Sequence, residues 1–303
     1  MTELPPGPPP GPRDPADGWV ELSDGRRFWG RAGAAGLLVV DPDGAVLLQH
    51  RVGWSHFGGT WGLPGGARHI GESAYDGALR EAHEETGIEV AALRPRFAVR
   101  LDLEVWSYTT VAVAAPSTLP VSVTDQESTA LEWVPADRVA DRELHPGFGS
   151  AWARLQQQLA VPDPVLVVDA ANVVGSRPDG WWKDRAGAAA RLLTSLQALA
   201  AAGTPAGPAG DGPLPVVHRW PRIVVVLEGQ ATAAADVPGL DVVRATASGD
   251  DAIVEQAARF AGSPVTVVTA DRGLIERVRA EGADVLGPSR LLEQLEQLDA
   301  PAR

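Results

Sequence analysis

Gly66–Ile88 reads GARHIGESAYDGALREAHEETGI, and its spacing decides how the first half of the chain folds. Five residues separate Gly66 from Glu72, and seven more separate Glu72 from Arg80 and Glu81. Ala82, His83, Glu84, Glu85, Thr86, Gly87 and Ile88 complete the stretch. Ser73 suits a helix N-cap with Asp76 three positions on, no proline follows, and Gly87 is a natural C-terminal stop. At about 100° per residue, Ala74, Tyr75, Ala78, Leu79 and Ala82 make one apolar arc. Glu81, Glu84 and Glu85 fall on a neighbouring arc, where side chains at i, i+3 and i+4 repel if alike in charge. Arg80 lies four residues before Glu84 and offsets one charge. A divalent cation would offset the rest, and carboxylate oxygens suit a hard ion such as magnesium or manganese. Gly65 and Gly66 leave the backbone bare, so that a carbonyl can reach such an ion. An acidic helix face alone reads as solvated surface; Gly66, Glu72 and Arg80 at fixed offsets turn the reading towards a site.

Every defined position fits G-x5-E-x7-R-E-U-x-E-E-x-G-U, with U apolar, and the stretch resembles the Nudix box. The approach Trp61–Gly66, WGLPGG, is similar to that of MutT-like members. The resemblance implies an α/β/α sandwich and metal-dependent hydrolysis of a nucleoside diphosphate linked to another group, water attacking a phosphorus of the diphosphate bridge. It implies that Glu81, Glu84, Glu85 and the Gly66 carbonyl hold Mg2+ or Mn2+, and that Arg80 orients the carboxylates. Glu72 would hold the loop–helix geometry or a water behind the ligands, and Glu84 or Glu127 would accept the proton. The MutT-like approach implies a nucleoside triphosphate, normal or oxidised, cleaved to monophosphate and pyrophosphate. ADP-ribose or dinucleoside polyphosphates would favour a proline or tyrosine at a set distance past the box; Pro95 falls early and Tyr108 late. Arg51 and Trp61 are candidate substrate contacts. Trp54 and Trp61 either stack on a base or cover the core beneath a glycine-rich loop, and His56 has no spaced histidine partner.

The whole chain has 303 residues, enough for two domains, and a net charge of −13. That charge argues against general nucleic-acid binding through phosphate attraction, though not against a small basic cleft. No cysteine occurs, which removes disulfides, thiolate metal sites and a cysteine nucleophile. No signal-peptide pattern opens the sequence and no apolar run is long enough to span a bilayer, so the expectation is a soluble cytoplasmic protein without membrane partners. Lys183 is the single lysine amid abundant arginine, alanine, glycine and proline, a bias of GC-rich coding.

In chain order, residues 1–17 read as a proline-rich disordered tail and 18–160 as the first domain. Strands are expected over Ala34–Val40 and Ala45–Gln49 about an Asp41–Gly44 turn, then Phe97–Leu103, Glu104–Ala114 and Leu131–Pro135, with a helix over Phe148–Leu159. A linker at Val161–Pro164 precedes a second domain over 164–303. There, strands Val165–Val168, Arg222–Leu227, Val265–Thr269 and Asp284–Leu286 alternate with helices over Asp184–Ala202, Gly249–Ala261, Arg272–Glu281 and Ser289–Leu298. Gly203–Pro215 reads as a flexible loop. This alternation gives a parallel sheet with helices on both faces, a Rossmann-like α/β domain whose site lies at the carboxyl ends of the strands. Asp169 and Asp271 fall there, Glu228 is a third possibility, and Asp250 and Asp251 open a helix. VVDAANV, GDD and VVTAD resemble, in order, the acidic motifs of PIN-like NYN nuclease domains. The resemblance implies that Asp169, Asp250, Asp251 and Asp271 hold Mg2+ or Mn2+ for phosphodiester hydrolysis, with Asn172 near the substrate and RNA as a partner. Arg177, Lys183, Arg185 and Arg272 could line a cleft, with Trp181 and Trp182 as a stacking pair or a lid.

Overall fold

A computed structural model describes residues 14–177, 180–206 and 214–299. Most of the expected disordered tail, residues 1–13, lies outside the described residues, as does much of the expected loop, residues 207–213. Asp14–Asp17 form a turn in which Asp14 Oδ1 accepts the Ala16 N–H at 2.8 Å, and Ala16 is buried. The chain divides into two compact units, one reaching Val161 and including Ala206–His218, the other made of Pro162–Pro205 and Arg219 onward.

The first unit opens with a hairpin, β1 (Trp19–Glu21) and β2 (Arg27–Trp29), which the sequence reading did not contain. β3 (Ala34–Val40) and β4 (Ala45–Arg51) flank the expected turn, where Gly44 takes φ +81° and Asp41 Oδ1 accepts the Asp43 and Ala45 N–H groups. The two strands pair only at Val40–Val46 and then part. β3 runs parallel to β8 (Trp106–Ala114) and takes β6 (Gly65–Ala67) on its other side. β4 pairs with β5 (Trp61–Gly62) and β9 (Ser128–Pro135). β7 (Arg94–Leu103) pairs antiparallel with β8, and a further strand, Val216–Arg219, adds to its outer edge. β8 starts at Trp106 rather than Glu104 because Glu104, at φ +50°, belongs to the tight turn.

Helix α1 (Ala74–Thr86) lies against β3, and α2 (Pro146–Leu159) covers the opposite face. Residues alternate between faces along a strand. Leu38, Val46, Leu48, Phe97, Val99 and Ala112 therefore form one core with Phe148, Trp152 and Leu155 of α2. Gln49 and Leu37 point to the α1 side.

The second unit is a five-stranded parallel sheet. In chain order its elements are β10 (Val165–Asp169), α3 (Ala170–Gly175), α4 (Arg185–Ala202), β11 (Arg222–Leu227) and β12 (Asp241–Arg244). There follow α5 (Gly249–Arg259), β13 (Val265–Val268), α6 (Arg272–Ala280), β14 (Asp284–Leu286) and α7 (Pro288–Asp299). The strand order is β12-β11-β10-β13-β14. The continuous apolar run Val165–Val168 is buried on both faces, by α4 and α7 on one and α5 and α6 on the other. Among the described residues no helix is long and apolar enough to cross a membrane.

Candidate active site

α1 begins at the expected cap, where Ser73 Oγ accepts the Asp76 N–H at 3.1 Å, and ends at Gly87, left-handed at φ 64°. Its buried stripe differs from the expected arc: Gly77, Ala78, Ala82, Glu85 and Thr86 face inward, while Ala74, Tyr75 and Leu79 are half-buried. Small residues let the helix lie close to the sheet, and Glu85 is carried into the same seam. Its Oε2 accepts the Gly65 N–H at 2.8 Å. Burial first, then the charge of Glu81, push its carboxyl up to about 8, against the pull of Gly65 N–H and Gln49. Gln49 is buried on β4 and donates Nε2 to Ser128 Oγ at 2.7 Å. Its Oε1 lacks a partner as placed; a half-turn of the amide would aim a donor at Glu85 and accept the Ser128 hydroxyl.

Arg80 ties the site together. It grips Glu72 with two bonds, Nε to Oε1 at 2.8 Å and Nη2 to Oε2 at 3.0 Å, and reaches Glu81 at 2.8 Å and the Ala67 carbonyl at 3.0 Å. Glu84 is its weakest partner, at 3.3 Å, so the i,i+4 pair is secondary to the fork on Glu72. Arg80 holds the Glu72 carboxyl down to about 2, helped by the His69 N–H. Burial raises the Glu81 carboxyl, opposed by Arg80 and reinforced by Glu84 and Glu127. A Cβ on Gly66 would lie 2.6 Å from the Glu81 carboxyl carbon, so only a bare backbone fits there.

The loop before β9 comes to the same place. Thr124 Oγ1 donates to the Glu84 carbonyl at 2.5 Å, and the Ser122 N–H to that of Thr86 at 3.0 Å. Glu127 lies close enough to bear on Glu81, and Asp125 on Glu85. The sequence points to Glu127 but not to Asp125 or Gln49; Gln49 is a buried polar residue inside an otherwise apolar stretch of β4.

Arg51 and Trp61 part company. β4 bulges between His50 and Arg51. The Arg51 charge bears on Tyr108 and His145, and its Nε donates to the His56 carbonyl at 3.3 Å. Trp61 lies opposite His50 in the strand register, with ring centroids 4.9 Å apart, and carries the Arg142 guanidinium at 5.3 Å. It packs on the α2-side core, across the sheet from Glu85, because alternation sends His50 and Gln49 to opposite faces. Between Arg51 and Trp61 the loop holds half-exposed Trp54 and Phe57, the latter at φ +57°, edge-on to His145 at 4.9 Å. Burial, then Arg51, lower the His145 imidazole to about 4.

In the second unit, Asp169 ends β10 buried, its oxygens accepting from Asn172 N–H at 3.0 Å and Thr269 Oγ1 at 2.9 Å. Burial, then the charges of Asp250 and Glu228, raise its carboxyl. Burial and Asp271 do the same to Asp250, opposed by Arg277. Glu228 accepts the Gly249 N–H at 3.1 Å, and Asp271 caps α6 through the Leu274 N–H at 2.8 Å. Asp251 pairs with Arg277 at 2.5 Å, and its charge adds to those of Asp271 and Glu228 in raising Asp250. The Asn172 side-chain Oδ1 accepts the Ala270 N–H at 2.9 Å, a strut from α3 to the chain just past β13. Trp182 is exposed, and Trp181 lies beneath Arg185. In neither unit do three acidic or histidine side chains among the described residues already converge as a ready metal site.

The sandwich, the filled box and the Arg80–Glu72 clamp define a Nudix pyrophosphohydrolase domain, and a domain model described as NUDIX domain matches residues 30–154. The chain belongs to the Nudix family. It is 48% identical over 154 residues to a Mycobacterium tuberculosis protein provisionally named 8-oxo-dGTP diphosphatase 3, covering 48% of this chain and 70% of that one. It is 41% identical over 153 residues to a nucleoside triphosphate pyrophosphatase/Nudix hydrolase fusion protein of Bifidobacterium longum, covering 48% of this chain and 32% of that one. A crystal structure of a Nudix hydrolase from M. smegmatis, RenU, shares 47% identity over 48% of this chain and 95% of that one, with a TM-score of 0.45.

Proposed function

We propose that the first unit hydrolyses a nucleoside triphosphate to monophosphate and pyrophosphate with Mg2+ or Mn2+, an oxidised purine nucleotide being the first candidate. The observation that carries the reaction class is the acidic seam of Glu81, Glu84 and Glu85 against bare Gly66, clamped by Arg80 and Glu72. The donor set fits a hard divalent cation. It is all oxygen, two of its carboxyls are raised by burial and mutual repulsion, and a Cβ at Gly66 would fill the space beside Glu81. Glu81, Glu84, Glu85 and the Gly66 carbonyl would hold the ion, which would lower the pKa of its water and neutralise charge developing on the phosphates. Arg80 keeps Glu81 and Glu84 in place, and Glu72 keeps Arg80 in place. Glu127 is free to accept the proton, since its carboxylate has no hydrogen-bond or ion-pair partner among the described residues; Glu84 is bound to Arg80. The substrate class rests on the name of the M. tuberculosis relative and the WGLPGG approach. Comparing Glu127→Gln with Glu84→Gln tests the proton acceptor. Loss of the acidic limb of the kcat profile in Glu127→Gln alone supports the assignment; a normal profile there removes it.

A second reading is favoured by the carboxylates of Asp169, Glu228, Asp250 and Asp271 at one end of the parallel sheet. We infer a PIN/NYN-like unit that cleaves RNA with a divalent ion. Asp169→Asn or Asp271→Asn should abolish RNA cleavage and spare nucleotide hydrolysis, and Glu85→Gln should do the reverse. RNA cleavage that survives both aspartate variants would remove the second reading.

A further inference from the structure

The second unit holds a cavity of about 340 Å³ at the opposite end of its sheet from the carboxylates. Asp169 ends β10 and Asp250 opens α5, whereas Arg222 and Asp241 open β11 and β12 and Gln256, Arg259 and Phe260 close α5. Val224 stands opposite Asp241 in the strand register, so the two share the face that α5 covers. Gln256, Arg259 and Phe260 follow one another at i, i+3 and i+4, and the last turn of the helix therefore turns all three towards the cavity.

Two groups in that lining are unpaired. Gln256 is only 6% exposed, and its Oε1 has no hydrogen-bond partner. Its Nε2 has none among the described residues either. A buried amide without a partner is costly, and the cavity is the side from which a partner can reach it. The second group is a guanidinium. Arg222 and Arg259 both lie against the Phe260 ring, 5.1 and 5.3 Å from its centroid. Asp241 pairs with Arg222, while Arg259 is exposed and has no ion-pair partner among the described residues. Asp236, also in the lining, is taken by Arg244 at 2.7 Å. One ring thus holds two guanidiniums at the cavity against a single counter-charge, which leaves positive charge in surplus.

We propose that this cavity binds a nucleoside monophosphate, with the phosphate at Arg222 and Arg259 and the edge of the base at Gln256. A guanidinium fork matches phosphate oxygens. An amide offers a donor and an acceptor side by side, the pattern by which glutamine pairs with a base edge. Val224, Leu240 and Val243 supply apolar wall between the two polar ends. The volume is near the lower bound for small-molecule sites, which suits one nucleotide and not a chain of them. None of these residues belongs to either site above, so both proposed activities stand whether or not a nucleotide binds here.

Binding of AMP, GMP, CMP and UMP to the full chain is measured by calorimetry with a chelator present, which silences metal-dependent nucleotide binding at the first unit. At least one should bind, and bind more tightly than inorganic phosphate or its own nucleoside. Arg259→Ala should weaken that nucleotide about 10–100-fold, the worth of a charge-assisted hydrogen bond, and leave the nucleoside unaffected. Gln256→Leu should weaken it about 3–10-fold, the worth of a neutral one. Because the amide has no partner within the chain, Gln256→Leu should melt no lower than the wild type, so its loss of binding is not unfolding; Arg259 is exposed, and its variant should melt with the wild type as well. Glu85→Gln should bind as the wild type does. No binding by the wild type, inorganic phosphate bound as tightly as any nucleotide, an affinity that either Arg259→Ala or Gln256→Leu leaves unchanged, or binding lost in Glu85→Gln would overturn the inference.

Discussion

The clamp of Arg80 on Glu72 shows why residue identity matters more than charge here. A guanidinium presents a planar fork that an ammonium cannot. Arg80→Lys should therefore keep the charge yet lose the bidentate grip, lowering kcat/KM about 10–100-fold, the worth of a charge-assisted hydrogen bond; steady-state kinetics at saturating metal measures it. Glu85 gives a prediction in pH. Its folded carboxyl is raised to about 8 by burial and Glu81, so the folded state holds a proton that the unfolded chain loses above about pH 4.5. The metal-free fold should lose stability as pH rises from about 4.5 to 8, and Glu85→Gln should remove that component; denaturant unfolding with chelator at pH 5 and pH 8 checks it. Metal binding near pH 7 should release a proton, visible as a buffer-dependent heat in calorimetry. The glutamates, Gly66, Glu72 and Arg80 were legible because the box fixes them in register. Asp125 and Gln49 were not, since one reaches the site through a loop and the other from a separate strand, which local spacing does not encode.

At the scale of elements, α1 was readable at both ends. Ser73→Ala should cost about 1 kcal/mol through the lost cap. Gly87→Ala should cost about 1–2 kcal/mol, because Gly87 is left-handed at φ 64°. Both should lower the midpoint of the first unit's unfolding without altering the KM for substrate. The inward face of α1 was misread because apolar periodicity assumes that size and hydrophobicity choose it. Here close packing chooses Gly77, Ala78 and Ala82, and function carries Glu85 along. The β1–β2 hairpin escaped notice because its strands are three residues each and its stability comes from rings on distant strands, Phe28 on Trp106 above all. β12 and the strand Val216–Arg219, four residues each, carry too little alternation to stand out.

Across the whole molecule, the sequence divides at the linker near Val161, but the first sheet draws the strand beside Arg94–Leu103 from residues 216–219, well beyond it. A fragment ending at Val161 should leave the Arg94–Leu103 edge unpaired, and an open edge invites association. Such a fragment should melt below the first unit of the full chain and associate in light scattering; equal melting and a monomer would contradict this. The parallel sheet of the second unit was legible from its apolar runs, and the carboxylates at its strand ends follow from that topology. Asp251 and Asn172 were less so, because whether an acidic or amide group faces a site or braces a neighbour depends on Arg277 and Ala270, far along the chain.

The most direct test of nucleotide hydrolysis is the set of products released from a nucleotide panel by the purified chain with magnesium, beside Glu85→Gln. The panel holds normal and oxidised nucleoside triphosphates, ADP-ribose and dinucleoside polyphosphates. The prediction is monophosphate and pyrophosphate from a triphosphate, dependent on the metal and absent in the variant. No turnover of any nucleotide, or turnover that Glu85→Gln leaves intact, would contradict it.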